Sequence, residues 1–181
     1  MTDRPYHHGN LRRVALAATA EAIEEGGGPA ALSLREVARR AGVSHAAFKH
    51  HFGSKPGLLT ALATEGYDLL ADALAAAGDD RVEAGVAYVR FAAGHPAHFE
   101  VMFQPGLYHP DDPDLRAAEE RAARALTAVL PDSADQDARL AAWSIVHGFA
   151  GLWLSGALPT DPGADAGDAA RPVISLLTLA P

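Results

Sequence analysis

The chain has 181 residues, 49% of them apolar and 21% charged, and it contains no cysteine. That length and apolar share allow a sizeable core and exclude a disordered chain, and the lack of cysteine excludes disulfides, thiolate metal sites and cysteine catalysis. The net charge of −8 is unevenly spread: residues 1–55 hold eight Lys/Arg against five acids, giving +3, and the remainder holds seven against eighteen, giving −11, so a local basic patch suited to nucleic acid sits inside an acidic chain.

Alanine is abundant while Val, Ile, Tyr and Phe are sparse, which favours helices over strands. The opening MTDRPYHHGN has no apolar run and does not read as a secretory signal. The longest weakly apolar stretch, residues 141–154, contains His147 and two glycines and is too short to span a membrane. A cytoplasmic protein without membrane contact is expected.

Apolar residues at 11, 14, 15, 18, 22 and 23 mark one face of a first helix over 11–25. Gly26-Gly27-Gly28-Pro29 stops it. Ser33-Leu34-Arg35-Glu36 has the spacing of a capping box, so a second helix is expected from about Ser33. Its buried face would be Leu34, Val37, Ala38 and Ala41. Gly42 permits a sharp turn, and Ser44 caps a short third helix that stops near Phe52-Gly53. Ser54 caps a fourth, with Pro56 in the first turn where a missing N–H is harmless; it should run to about Ala77. Further helices fit roughly 80–93, 95–103, 112–130, 134–157 and 166–179, with linkers rich in Pro, Gly and Asp at 104–112 and 158–167. No period-two strand pattern is present. The expected fold class is all-α: a three-helix helix-turn-helix domain over residues 1–54, then a longer helical domain over 55–181, to which the family resemblance given below adds effector binding and dimerisation.

The segment 33–55, SLREVARRAGVSHAAFKHHFGSK, carries the strongest signal. In its third helix Val43, Ala47, Phe48 and Phe52 share a face that should pack inward. His45, Ala46, Lys49 and His50 share the opposite face, which can enter a major groove. Ala46 can touch a thymine methyl, and His45 can hydrogen-bond a base edge. Lys49, His50 and Lys55 are placed for phosphates, as are the free N–H groups where the second and fourth helices begin. Ser33 and Ser44, as N-caps, complete the DNA-facing set. The plainer reading is a helical hairpin in a core; the capping spacing, the AGVS turn, the basic excess and HHFGSK together weigh against it.

On SLREVARRAGVS, Phe48 and HHFGSK the sequence resembles the TetR family of bacterial regulators, and YHHGNLR (Tyr6 to Arg12) resembles one branch of it. Trp143 with His147-Gly148 resembles the C-terminal signature of the same branch. The close resemblance covers about residues 6–60. It implies a homodimer, a three-helix DNA-binding domain and a variable ligand-binding domain. Many members carry tyrosine where this chain has Lys49; the family commonly contacts phosphate there, and lysine would do so as a flexible point charge.

Other residues admit two readings each. Tyr67, Phe91, His95, His98, Phe99, Met102, Phe103, Trp143 and His147 are either ordinary core or the lining of an effector pocket of apolar walls with a few polar groups. Ser144, Gly148, Gly151 and Ser155 form a small-residue stripe that packs within the subunit or against a second one; the resemblance, in which the last two long helices pair across a two-fold, favours the second reading, with Ile174 and Leu177 adding apolar bulk. His95 and His98 have a spacing that can hold a metal, but no cysteine or carboxylate pair completes a site. No metal, cofactor or catalytic residue is expected, since phosphate loops and nucleophile elbows are missing. The expected function is a repressor released from a palindromic DNA operator by a small-molecule effector. The alternative is a helical small-molecule binding protein without DNA-binding activity.

Overall fold

The computed structural model describes residues 8–131, 133–159, 161 and 163–176, with side chains from residue 11 onward. Among them are nine α-helices and no strand: α1 (His8–Gly26), α2 (Leu34–Arg40), α3 (His45–Phe52), α4 (Lys55–Ala76), α5 (Arg81–Gly94), α6 (Pro96–Met102), α7 (Pro113–Ala128), α8 (Gln136–Leu154) and α9 (Ala166–Ser175). Single turns of 3₁₀ helix occupy Pro29–Ala31 and Pro105–Leu107.

Short polar side chains start most of these helices, because the first N–H groups of a helix have no partner within it. Ser44 Oγ accepts from Ala47 N at 3.1 Å, and Ser54 Oγ from Gly57 N at 3.2 Å. Asp80, Asp112, Asp135 and Asp165 each accept from backbone N–H groups at the starts of α5, α7, α8 and α9. One expected cap is not made. Ser33 occupies the N-cap position of α2 but forms no side-chain cap bond, and Glu36 turns forward to Arg39 and Arg40 instead of back to the Ser33 amide. Charge-assisted bonds to two guanidinium groups outcompete a single neutral N–H.

α8 ends at Leu154, three residues before its expected limit of 157, because Gly156 adopts φ +69°. The chain turns back there, and Ala157 N bonds Leu152 O at 3.1 Å, closing the helix in the left-handed manner that glycine allows. α9 ends at Ser175; Leu177 lies outside the described residues.

The chain divides into two compact units, Met1–Glu65 with Ala97–Arg116, and Gly66–Pro96 with Ala117–Pro181. In the first, α1 packs on α2 and α2 on α3. Leu16, Ile23, Val37, Phe48, Leu58, Leu59 and Leu62 are fully buried there. Thr19, also buried, is satisfied by Ala15 O at 2.7 Å. The segment after α6 is tied to α4, since His109 N donates to Thr60 Oγ1 at 3.0 Å.

In the second unit α5 packs on α8 and α9. A Cβ on Gly85 of α5 would stand 3.0 Å from Ile174 of α9 and 3.2 Å from Val146 of α8, so a glycine lets the three helices meet. Ion pairs orient α9: Arg90 holds Asp165 and Asp168 at 2.9 and 2.8 Å, and Arg171 holds Glu83.

Candidate nucleic-acid interface

The candidate recognition element is α3. Phe48 is 0% exposed and Phe52 is buried beside it, their ring centroids 4.9 Å apart. These two rings stand one turn apart and fix the inward face. His45, Ala46, Lys49 and His50 are all exposed on the other side, as the sequence places them. Val43 is half-buried, and Ala47, expected inside, is exposed. Ala47 lies about 100° round the helix from Phe48 and falls outside the arc that the two phenylalanines bury.

The turn before α3 uses Gly42 at φ +67°, a conformation that costs glycine little and other residues more. After α3 the close approach of α4 depends on Gly57, a position to which the sequence motifs assign no role. A Cβ there would meet Phe52 O at 2.2 Å. The available sign was a glycine in the first turn of a helix, where it weakens helix propensity and needs another reason. Gly57→Ala is therefore expected to destabilise the chain and lower its thermal midpoint by several degrees, read by circular dichroism.

The electrostatics are finer than the residue count. Arg39 grips Glu36 with two bonds, Nη2–Oε1 at 2.6 Å and Nε–Oε2 at 2.9 Å. Arg40 bridges Glu36 at 2.9 Å and Glu25 of α1 at 2.6 Å. Arg39 first and Arg40 second hold the Glu36 carboxyl down at about 2. Two of the basic groups are thus already matched by carboxylates. Arg35 and Lys49 are exposed and make no ion pair among the described residues; Arg35 belongs to the basic patch, although its spacing alone does not mark it as a contact. Lys55, expected at a phosphate, is half-buried and donates from Nζ to Ala30 O at 2.7 Å.

The residues considered for an effector pocket divide between the units. His98, Phe99, Met102 and Phe103 belong to the first, where His98 Nε2 is 3.0 Å from Glu65 Oε2 and the Phe99 and Phe103 rings are 5.1 Å apart. Tyr67, Phe91, His95, Trp143 and His147 belong to the second. Trp143 and His147 there share a buried partner, Tyr88, 3.2 Å from Trp143 Nε1 and 3.0 Å from His147 Nδ1. Among the described residues no group of three or more His, Cys, Asp or Glu is placed to hold a metal ion.

The stripe Ser144, Gly148, Gly151 and Ser155 is exposed along α8, beside Leu140 and Leu152. Val173 on α9 and Leu176 just past its end lie open, the latter 79% exposed. Ile174 does not join them. It is 5% exposed and packs on Gly85 inside the chain, because α9 turns Ala166, Gly167, Ala170 and Ile174 toward its own subunit.

Residues 15–62 match the family profile described as bacterial regulatory proteins, tetR family, and residues 82–177 match the tetracyclin repressor-like C-terminal domain. A solved protein of unknown function from Rhodococcus sp. RHA1 is similar at 31% identity over 97% of both chains, with a TM-score of 0.71. The TetR family transcriptional regulator PfmR from Thermus thermophilus has the same fold at 24% identity, covering 90% of this chain and 96% of its own, with a TM-score of 0.68. So does the TetR-like transcriptional regulator LfrR from Mycobacterium smegmatis, solved in complex with proflavine, at 20% identity over 95% and 98% of the chains and a TM-score of 0.68. A search of curated proteins finds no match.

Proposed function

Because the chain belongs to the TetR family of bacterial transcriptional regulators, we propose that it is a homodimeric repressor that grips a palindromic operator and is released by a small-molecule effector. Residues 1–54 would bind DNA, and residues 55–181 would hold the effector and the partner subunit. The observation that carries the reading is α3: capped by Ser44, locked inward by Phe48 and Phe52, and exposing His45, Ala46, Lys49 and His50 together. One such helix reads too few bases alone, so two copies on successive major grooves are needed. The family is regulatory, and no enzymatic step is assigned. Among the described residues no helix is long and apolar enough to cross a membrane, which suits a protein working on DNA in the cytoplasm.

The test is binding of the full chain to duplexes selected from a random library, followed by footprinting. Two symmetrical half-sites are expected. Protection of one unsymmetrical half-site by a single chain would overturn the dimeric reading, and no selected sequence at all would favour a small-molecule binding protein without DNA activity.

Lys49 and His45 should then separate. Lys49→Ala is expected to weaken binding to all sequences alike and to reduce the salt slope by about 1, the signature of a lost phosphate contact. His45→Ala should relax preference at one base pair, costing roughly 1–3 kcal/mol on the best operator and less on variants. Affinities over a small operator library at several salt concentrations decide it. A changed sequence preference for Lys49→Ala with the salt slope intact would make Lys49 a base reader.

For the effector we propose a lipophilic, aromatic compound held within one unit, by some of Tyr67, Phe91, His95, Trp143 and His147 in the second or of His98, Phe99, Met102 and Phe103 in the first; the likeness to a regulator solved with proflavine supports that class. A thermal-shift screen finds it by stabilisation. Linkage requires such a compound to weaken operator affinity, and a binder that leaves operator affinity unchanged is not the effector.

A further inference from the structure

Most joints of the helix-turn-helix are fixed by bonds of short span. Gly42 N donates to Arg39 O at 3.2 Å and Val43 N to Ala38 O at 3.0 Å, which sets the turn from α2 to α3. Gly53 N donates to Lys49 O and Ser54 N to Phe52 O, both at 2.8 Å, and Ser54 Oγ caps Gly57, so α3 runs into α4 with little slack. The entry to α2 is different. Gly27 and Gly28 lead into it at φ +79° and +103°. The 3₁₀ turn Pro29–Ala31 that follows has two long bonds, Ala31 N to Gly28 O and Leu32 N to Pro29 O, each 3.3 Å, past the usual range for an amide donor. Ser33 then adds no side-chain cap.

Lys55 reaches this weak joint from the other end of the motif. It is the first residue of α4 and is half-buried, and its Nζ donates to Ala30 O at 2.7 Å. The carbonyls of Gly28 and Pro29 serve the turn itself, and that of Ala30 serves the ammonium. One charge-assisted bond therefore joins the residues just before α2 to those just after α3 and closes segment 30–55 into a ring. Arg40 ties the opposite end of α2 to Glu25 of α1.

We infer that Lys55 is a positioning residue for operator binding, which closes the helix-turn-helix so that α2 holds α3 in register with the bases, and that it does not act by neutralising a phosphate. This rests on the DNA-binding reading above. α2 has seven residues and α3 eight, too few to keep their shape unsupported. Opening the ring frees the start of α2, on which α3 packs. Base readout needs side chains placed against particular base edges, whereas phosphate contacts carry no sequence information. Loosening α2 thus costs the selected operator more than unrelated DNA. Losing a phosphate contact costs both alike and lowers the salt slope by about 1.

The experiment uses the full chain and its Lys55→Met variant, which keeps an apolar stem and removes the donor. Affinity is measured at several salt concentrations for the selected operator and for an unrelated duplex. Amide hydrogen exchange is followed on the chain without DNA. Lys55→Met should bind the operator about tenfold more weakly, the scale of one charge-assisted hydrogen bond. Its affinity for the unrelated duplex should stay within about threefold, with the salt slope kept. In the free chain the amides of Val37 and Ala41, which bond Ser33 O and Val37 O, should exchange several-fold faster, while those of α8 keep their rates. A phosphate contact would leave exchange in the free chain untouched. Equal weakening on both duplexes with a salt slope lowered by about 1 overturns the inference and makes Lys55 a phosphate ligand. Unchanged exchange at Val37 and Ala41, or acceleration spread equally over α8, overturns it as well. A wild type that selects no operator overturns the DNA-binding reading instead, and exchange at Val37 and Ala41 still decides whether Lys55 closes the ring.

Discussion

Phe48→Ala is expected to abolish operator binding and to cost about 3–5 kcal/mol, the range for emptying a fully buried aromatic site. The ring is the inward anchor of α3, and its loss leaves Phe52 without its neighbour 4.9 Å away. α2 and α3 have seven and eight residues, far too few to hold helical shape without tertiary packing. The recognition face therefore exists only while Phe48 presses α3 against its own unit. Circular dichroism melts give the stability loss, and fluorescence anisotropy with a labelled operator gives the binding loss. Ala47→Ser is the matched control. It alters a neighbouring but exposed position and should stay within about 0.5 kcal/mol. Full operator affinity in Phe48→Ala would show that α3 is not held as described.

Gly148→Leu and Gly151→Leu should each weaken the dimer by roughly 5- to 150-fold, the equivalent of an overpacking cost of about 1–3 kcal/mol. The single chain makes this a sharp test. No atom lies within 4 Å of where a Cβ would stand at either glycine. A leucine is thus accommodated by its own subunit, and replacing glycine in a helix interior favours the helix by up to about 1 kcal/mol. Helix content should be kept or raised while association falls. Sedimentation velocity at several concentrations reads the outcome, and an undisturbed dimer in both variants would remove the small-residue stripe from the interface. Ile174→Ala should behave in the opposite way, lowering the chain's own stability, since that side chain is closed against Gly85 within the subunit.

The features legible from sequence are those made by residues close along the chain. Ser44 and Ser54 cap the helices that follow them, and the left-handed Gly42 makes the turn between α2 and α3. The exposed quartet of α3 follows from the spacing of two phenylalanines. Four of the five later helices, α5, α7, α8 and α9, begin where an aspartate stands ready to take backbone N–H groups. Each of these interactions spans four residues or fewer, so short-range geometry decides them whatever else the chain does. Even at that range, competition among polar partners is hard to foresee. Ser33 and Glu36 have the spacing of a capping box, but Arg39 and Arg40 stand within reach and carry charge.

Helix content, the helix-turn-helix and the exposed face of α3 were thus determined by the sequence itself. Tertiary structure alone decided which side of α9 turns inward, why Gly57 and Gly85 must be glycines, and that Tyr88 joins Trp143 to His147. Lys55 is a smaller case: its ammonium bonds a carbonyl 25 residues away. Tyr88 reaches partners 55 and 59 residues distant, and Arg171 reaches one 88 residues distant. Periodicity says that a helix has an apolar side but not which neighbour covers it. An amphipathic helix with small residues on one face and branched ones on another can be buried either way, and the choice falls to the packing of α5, α8 and α9 on one another.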